Sequence, residues 1–200
     1  MAISAADVKA LRDRTGAGMM DSKAALAEAE GDMDRAIEIL RIKGQASAAK
    51  RAGRGTEQGV ISSYIHFDDQ VGTLVEVQCE TDFVARSDEF NEFAKEVAQH
   101  IAGTGARYVS AEDIPESERE NERRVLQEEA REEGLPEDKI ERIVEGRLAK
   151  GEKEIVLLEQ EHVNPKHEGK TIEEMRQEIA ARTGENVRIA RFAYFRVGEG

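Results

Sequence analysis

Two stretches of two-residue periodicity stand back to back in this chain, and a third lies near its far end. Val60, Ser62, Tyr64 and His66 alternate with Ile61, Ser63, Ile65 and Phe67. After the turn-forming cluster Asp68-Asp69-Gln70, the stretch Val71 to Cys79 carries Leu74, Val75 and Val77. Alternation of this kind suits strands, and a short polar joint makes the pair an antiparallel hairpin. Val187 to Val197 alternates again, with Val187, Ile189 and the aromatic group Phe192, Tyr194 and Phe195. It is a third strand, able to complete a small antiparallel sheet. Everything else with a regular apolar pattern has helical spacing, so the fold class is α+β.

The region before the hairpin reads as three short helices over residues 1–44. Ser4 with Asp7 resembles a capping box with Asp in the Glu position, and Val8 and Leu11 share a face. Thr15-Gly16-Ala17-Gly18 breaks that helix. Asp21 caps a second helix from Ser22 to Glu30, with Ala25, Leu26 and Ala29 inward. Asp32 caps a third, carrying Met33, Ala36, Ile37 and Leu40, which Gly44 ends. So small a core is marginal alone; its natural use is docking. Residues 45–58 read as a basic helix running into a linker. Between Arg41 and Arg54 lie five cations (Arg41, Lys43, Lys50, Arg51, Arg54) and no acid.

Residues 59–200 form the α+β core. After a loop from Glu80 to Arg86, Ser87 caps a helix to about Ala102, with Phe90, Phe93, Ala94, Val97 and Ile101 on one face. Glu112 to Glu154 holds 16 acids and 9 bases. Pro115 and Pro136 suit first helical turns, Gly134-Leu135 separates two helices, and Gly151 follows the second. Their apolar stripe is narrow, as in a charged helical arm at about 112–154. A short helix from Glu152 to Glu161 carries the run Ile155-Val156-Leu157-Leu158. Thr171 opens a last helix, with Ile172, Met175, Ile179 and Ala180 inward and Gly184 at its end.

With 200 residues, one or two domains are expected. Charged residues make up 36% and the net charge is -13, which argues against a protein built to coat phosphates. The single Cys fits a reducing compartment. The longest aliphatic run is far short of a membrane span, and Met1 to Arg14 lacks a signal-peptide core. A cytoplasmic protein is expected.

No catalytic constellation stands out, and neither a cofactor nor a metal is expected. His66, His100, His162 and His167 are scattered, and the five-residue spacing of the last two lacks a Cys partner. Cys79 reads as a small apolar residue at a strand end. Thr15-Gly16-Ala17-Gly18 has no preceding strand and no Gly-Lys-Ser/Thr, so it is not a phosphate cradle. Two features remain. Met19 and Met20 follow a glycine turn; either both are buried against Leu40, or at least one is an adaptable contact. Phe83, beside Asp82 in Thr81-Asp82-Phe83-Val84-Ala85-Arg86, either plugs the helix onto the sheet or is an aromatic wedge presented by a scaffold.

Leu11-Arg12-Asp13-Arg14-Thr15-Gly16-Ala17-Gly18-Met19-Met20-Asp21, followed by Lys23-Ala24-Ala25-Leu26, resembles the N-terminal signature of the bacterial elongation factor Ts family. Thr81 to Arg86 resembles its core signature, and Asn186-Val187-Arg188-Ile189 to Val197-Gly198-Glu199-Gly200 its C-terminal strand. The resemblance implies a guanine-nucleotide exchange factor for the GTPase elongation factor Tu, accelerating GDP release without covalent chemistry. It implies that Asp82 and Phe83, with Thr81 and Val84 beside them, enter the GTPase domain and disturb its Mg2+ site. It implies further that Arg12, Met19 and Met20 contact the same domain from a module like a three-helix ubiquitin-associated domain. Longer members carry two related core halves, whereas this sequence has one. Short members resemble homodimers, and a homodimer through the sheet and neighbouring helices is the expectation here. A second class of function is a ribosome- or RNA-associated protein using Lys43 to Arg54; overall acidity and the lack of interleaved aromatics argue against it. A metal-dependent enzyme is a third. Neither stable nucleic-acid binding nor a membrane is expected.

Overall fold

The computed structural model describes residues 3–199, and for Gln45 and Ala49 the backbone only; Gly200 of the C-terminal signature lies outside the described residues. The chain opens with α1 (Ala5–Thr15), α2 (Met19–Glu28) and α3 (Met33–Arg51). The Ser4 capping box forms: the Ser4 hydroxyl accepts from the Asp7 N–H at 3.1 Å, and the Asp7 carboxylate accepts from the Ser4 N–H at 3.1 Å. Gly16 ends α1 in the left-handed region at φ 69°, its N–H donating to Arg12 O at 2.7 Å. Asp32 caps α3 by accepting from the Arg35 N–H at 2.9 Å. Val8, Leu11, Ala25, Leu26, Ala29 and Ala36 form the core of the three helices.

Three strands, β1 (Gln58–Ile65), β2 (Val71–Cys79) and β3 (Arg188–Arg196), make one antiparallel sheet in the order β1-β2-β3. Val197 N–H donates to Gln70 O at 2.9 Å, which sets the end of β3 beside the start of β2. Gly59 is required where β1 meets β2, because a Cβ there would stand 2.2 Å from Val77 O. The helices of the core are α4 (Asp82–Ala85), α5 (Asp88–Thr104), α6 (Glu116–Glu132), α7 (Glu137–Ile155) and α8 (Ile172–Thr183).

The chain divides into two compact units. The first comprises residues 1–62, 76–95 and 174–189. In it, α3 and α8 are tied by Arg41 to Glu174 at 3.4 Å and by Arg51 Nη1 donating to Ala180 O at 3.1 Å. The second comprises residues 63–75, 96–173 and 190–200. There the Thr73 hydroxyl donates to Ala98 O at 2.9 Å, and α6 lies against α7 around buried Ala130, Ile140 and Val144.

The structure corrects several boundaries. The second helix begins at Met19 after Gly18, not after Asp21, which occupies its first turn. The extended backbone of Gly18 (ψ 151°) makes the bend three residues before the expected cap at Asp21. Gly44 does not end α3, which continues to Arg51. One glycine costs about 1 kcal/mol in a helix, and the Ala-rich stretch after it, with Ala48 buried, outweighs that. Gly151 likewise lies inside α7, where the half-buried pair Arg119–Glu152 at 2.7 Å holds the last turns. The helix expected from Glu152 to Glu161 is the end of α7 and a 3-10 turn at Leu157–Glu159. Val156 breaks the helix to bridge with Tyr108. The loop from Glu80 to Arg86 contains the single turn α4.

Candidate functional site

A strand end, a capped turn and a buried anchor together present the aromatic side chain of the core signature. β2 stops at Cys79, and Thr81 takes an extended conformation (φ -123°, ψ 153°) from which its hydroxyl accepts from the Val84 N–H at 3.3 Å. Threonine at this position supplies an oxygen to an otherwise orphan helix donor. Val84 and Ala85 turn inward, at 7% and 6% exposure, while Phe83 is 82% exposed. The ring does not plug α5 onto the sheet. Asp82 is also exposed and pairs with Arg86 one turn on, at 3.1 Å. Beyond it, Ser87 caps α5 by accepting from the Phe90 N–H at 3.3 Å, and Asn91 Nδ2 donates to Ala85 O at 2.9 Å and Ser87 O at 2.8 Å. Of the four signature residues 81–84, three are exposed and Val84 anchors the turn.

Cys79 lies fully buried beneath this turn, its thiol donating to Thr81 O at 3.2 Å. Burial, reinforced by the Glu185 carboxylate, pushes its pKa up to about 11. A protonated buried thiol is inert, which fits the reading of Cys79 as a packing residue.

Sequence spacing gave no sign of Glu185. Its Oε2 accepts from the N–H groups of Glu80 and Thr81 at 3.0 and 3.1 Å, and its Oε1 accepts from the Thr81 hydroxyl at 2.6 Å. Next to it, Asn186 N–H donates to Glu80 Oε1 at 2.6 Å, and Asn186 Nδ2 donates to Arg54 O at 2.9 Å. The Gly184 helix stop before these two residues and Asn186 as the first residue of the C-terminal signature were visible beforehand, but not the bonds they make.

The same unit holds the second group. Arg12 is exposed near the end of α1, and Met19 and Met20, at 49% and 74% exposure, open α2. The two methionines are therefore not both packed against Leu40. The turn between the helices is fixed by Gly16, where a Cβ would stand 2.2 Å from Arg182 Nε. Arg182 in turn pairs with Glu89 at 2.6 Å.

Part of the basic stretch is paired where it stands. Arg41 pairs with Glu174, Lys43 with Glu28 and Arg54 with Glu80, while Arg51 is spent on Ala180 O. Three of the five cations thus face a carboxylate, which weakens the stretch as a phosphate-binding patch, while Arg51 keeps its charge and Lys50 is exposed. In the second unit, His100, His162 and His167 come together, with ring centroids 5.2 and 4.3 Å apart. His100 Nδ1 accepts from the Val163 N–H at 3.2 Å and Nε2 donates to Gln160 Oε1 at 2.8 Å. His162 Nδ1 accepts from the Asn164 N–H at 3.0 Å and Nε2 donates to Glu96 O at 3.3 Å. Both rings are committed, and among the described residues no group of His, Cys, Asp and Glu forms a metal-binding set. No described helix is long and apolar enough to cross a membrane.

Comparison with known proteins agrees over the length of the chain. Residues 5–199 match the family model described as elongation factor TS. A Thermoanaerobacter elongation factor Ts is 52% identical over 198 residues, covering 99% of this chain and 96% of the relative. The Thermosipho melanesiensis elongation factor Ts is 49% identical over 197 residues, covering 98% and 100%. That of Fervidobacterium nodosum is 47% identical over 199 residues, covering all of both. With three signature segments in order and whole-length identity of this level, the chain belongs to the elongation factor Ts family, nucleotide exchange factors of translation elongation.

Proposed function

We propose that this protein binds the GDP form of elongation factor Tu and drives GDP out by inserting Asp82 and Phe83 into the GTPase domain, disturbing the Mg2+ site there. The observation that carries the reading is the 82% exposure of Phe83 on a turn capped by Thr81 and rooted by buried Val84 and Ala85. An exposed ring on a rigid support loses little entropy on docking. Thr81 caps the turn and Val84 roots it. Arg12, Met19 and Met20 give the same unit a second contact, with Arg12 suited to a partner carboxylate.

The physics is linkage. A factor that binds the empty GTPase more tightly than the GDP-bound form weakens GDP binding by the same ratio. No covalent step is involved, so the protein is an exchange factor and not an enzyme in the bond-breaking sense. Mg2+ neutralises phosphate charge, and its displacement loosens the nucleotide. Burying Phe83 in the partner supplies about 1.5–3 kcal/mol, roughly 10- to 150-fold in release rate when the cleft opens fully only in the empty state. Phe83→Ala is therefore expected to slow release of fluorescent GDP at saturating factor by that ratio. A rate within twofold of the wild type would refute the wedge.

The protein works in the cytoplasm as a homodimer. Ile65, Phe67, Leu74, Phe195 and Val197 in the second unit are 61%, 88%, 47%, 64% and 68% exposed. Ile65, Leu74, Phe195 and Val197 line one shallow hollow. Apolar surface of this kind marks an interface, and one core half per chain makes a second copy its natural cover.

A further inference from the structure

Glu185 lies outside both segments proposed for partner contact, yet its carboxylate bonds to one of them, at Thr81. We propose that Glu185 is the positioning residue of the exchange site: its carboxylate fixes the backbone from which α4 projects Asp82 and Phe83. The proposal rests on the exchange reading above.

Three donors converge on this one carboxylate, at 3.0, 3.1 and 2.6 Å. Two are successive backbone N–H groups at the exit of β2, so both the position and the direction of the chain entering the turn are set. The third is the Thr81 hydroxyl. By donating to Glu185 Oε1 it keeps its lone pairs toward the Val84 N–H, which it accepts at 3.3 Å. The carboxylate thus orients the hydroxyl, and the hydroxyl orients the first turn of α4. Charge-assisted bonds of this type are the strong ones. Phe83 lies within that turn and is itself exposed, so the backbone alone fixes the point and the Cα–Cβ direction from which its ring projects. Asn186 braces the preceding residue, its N–H donating to Glu80 Oε1 at 2.6 Å. A wedge needs a stiff root, and these bonds supply it.

The test uses the full chain with elongation factor Tu loaded with fluorescent GDP, varying factor concentration. The variants are Glu185→Ala, Glu185→Gln, Phe83→Ala and the double variant Glu185→Ala/Phe83→Ala. Glu185→Ala is expected to lower the maximal release rate about tenfold while the half-saturating concentration moves less than about twofold. Glu185→Gln keeps an acceptor for the amides and a donor for the hydroxyl, and is expected within about threefold of the wild type. The double variant is expected no more than about twofold slower than Phe83→Ala, because Glu185 acts through the ring. Hydrogen exchange at the amides of residues 80–84 is expected to speed about tenfold in Glu185→Ala and to stay slow in Glu185→Gln. If Glu185→Ala does not fold, Glu185→Asp, too short to reach all three donors, carries the same expectation. A wild-type rate in Glu185→Ala or Glu185→Asp alongside a slow Phe83→Ala overturns the positioning role and leaves the wedge standing. A fully additive double variant also overturns it. A wild-type rate in Phe83→Ala overturns both.

Discussion

Acidification acts on this fold through a histidine of the second unit. His100 lies fully buried in the second unit, held between Gln160 and the Val163 amide, with the His162 ring against it. Burial, aided by the neighbouring imidazole, depresses its pKa from 6.5 to about 4. His162 is shifted in the same direction, also chiefly by burial. Facing His162 are Glu96 and Lys166, which pair with each other, and His167, whose Nε2 lies 3.3 Å from Glu96 Oε2. A depressed histidine contributes stability that is complete above its unfolded pKa near 6.5. That stability drains as pH falls toward 4, because the unfolded chain takes up a proton the native ring refuses. At 1.36 kcal/mol per unit, His100 alone removes about 2 kcal/mol between pH 7.5 and 5, roughly 1 M in urea midpoint. The assay is urea unfolding followed by circular dichroism at both pH values, for the wild type and His100→Gln. The variant is expected to be less stable at pH 7.5 but to lose about 2 kcal/mol less on acidification. Parallel losses within about 0.5 kcal/mol would mean that His100 does not stand neutral and buried, and the linkage reasoning would fail.

Three other outcomes follow from the geometry. Met20→Ala combined with Arg12→Ala touches exposed side chains only, so stability is expected to hold within about 0.5 kcal/mol. Titration calorimetry should show weaker association with elongation factor Tu, and unchanged affinity would remove the three-helix module from the contact. Phe195→Asp places a charge in the apolar hollow of the sheet and is expected to yield monomers in sedimentation velocity; an undisturbed dimer would put the interface elsewhere. Cys79, with its thiol pushed up to about 11, is expected to resist aromatic disulfide reagents in the native protein and to react only on unfolding. Rapid native labelling would contradict its burial.

The periodicities gave β2 to the residue and placed β1 and β3 within a few residues, because a half-buried strand writes its two faces into alternate positions. Caps were legible for a similar reason: Ser4 with Asp7, Asp32 with Arg35 and Ser87 with Phe90 are bonds across three residues. Helix ends at Gly44 and Gly151 were misread because glycine lowers helix propensity by an amount that packing exceeds. The signature around Phe83 was visible as residues, but two outcomes for its ring fitted the spacing equally.

Its exposure was decided by the tertiary structure. So were the bonds of Glu185 to Thr81 across 104 residues and of His100 to Gln160 across 60. The sequence by itself determined the elements, the charge and the family. Patterns of period two and 3.6 report a residue's neighbours along the chain, whereas a carboxylate finding two amides and a hydroxyl depends on where α8 returns the chain. Only the packed fold holds that information, since the donors and the acceptor share no local geometry until it forms.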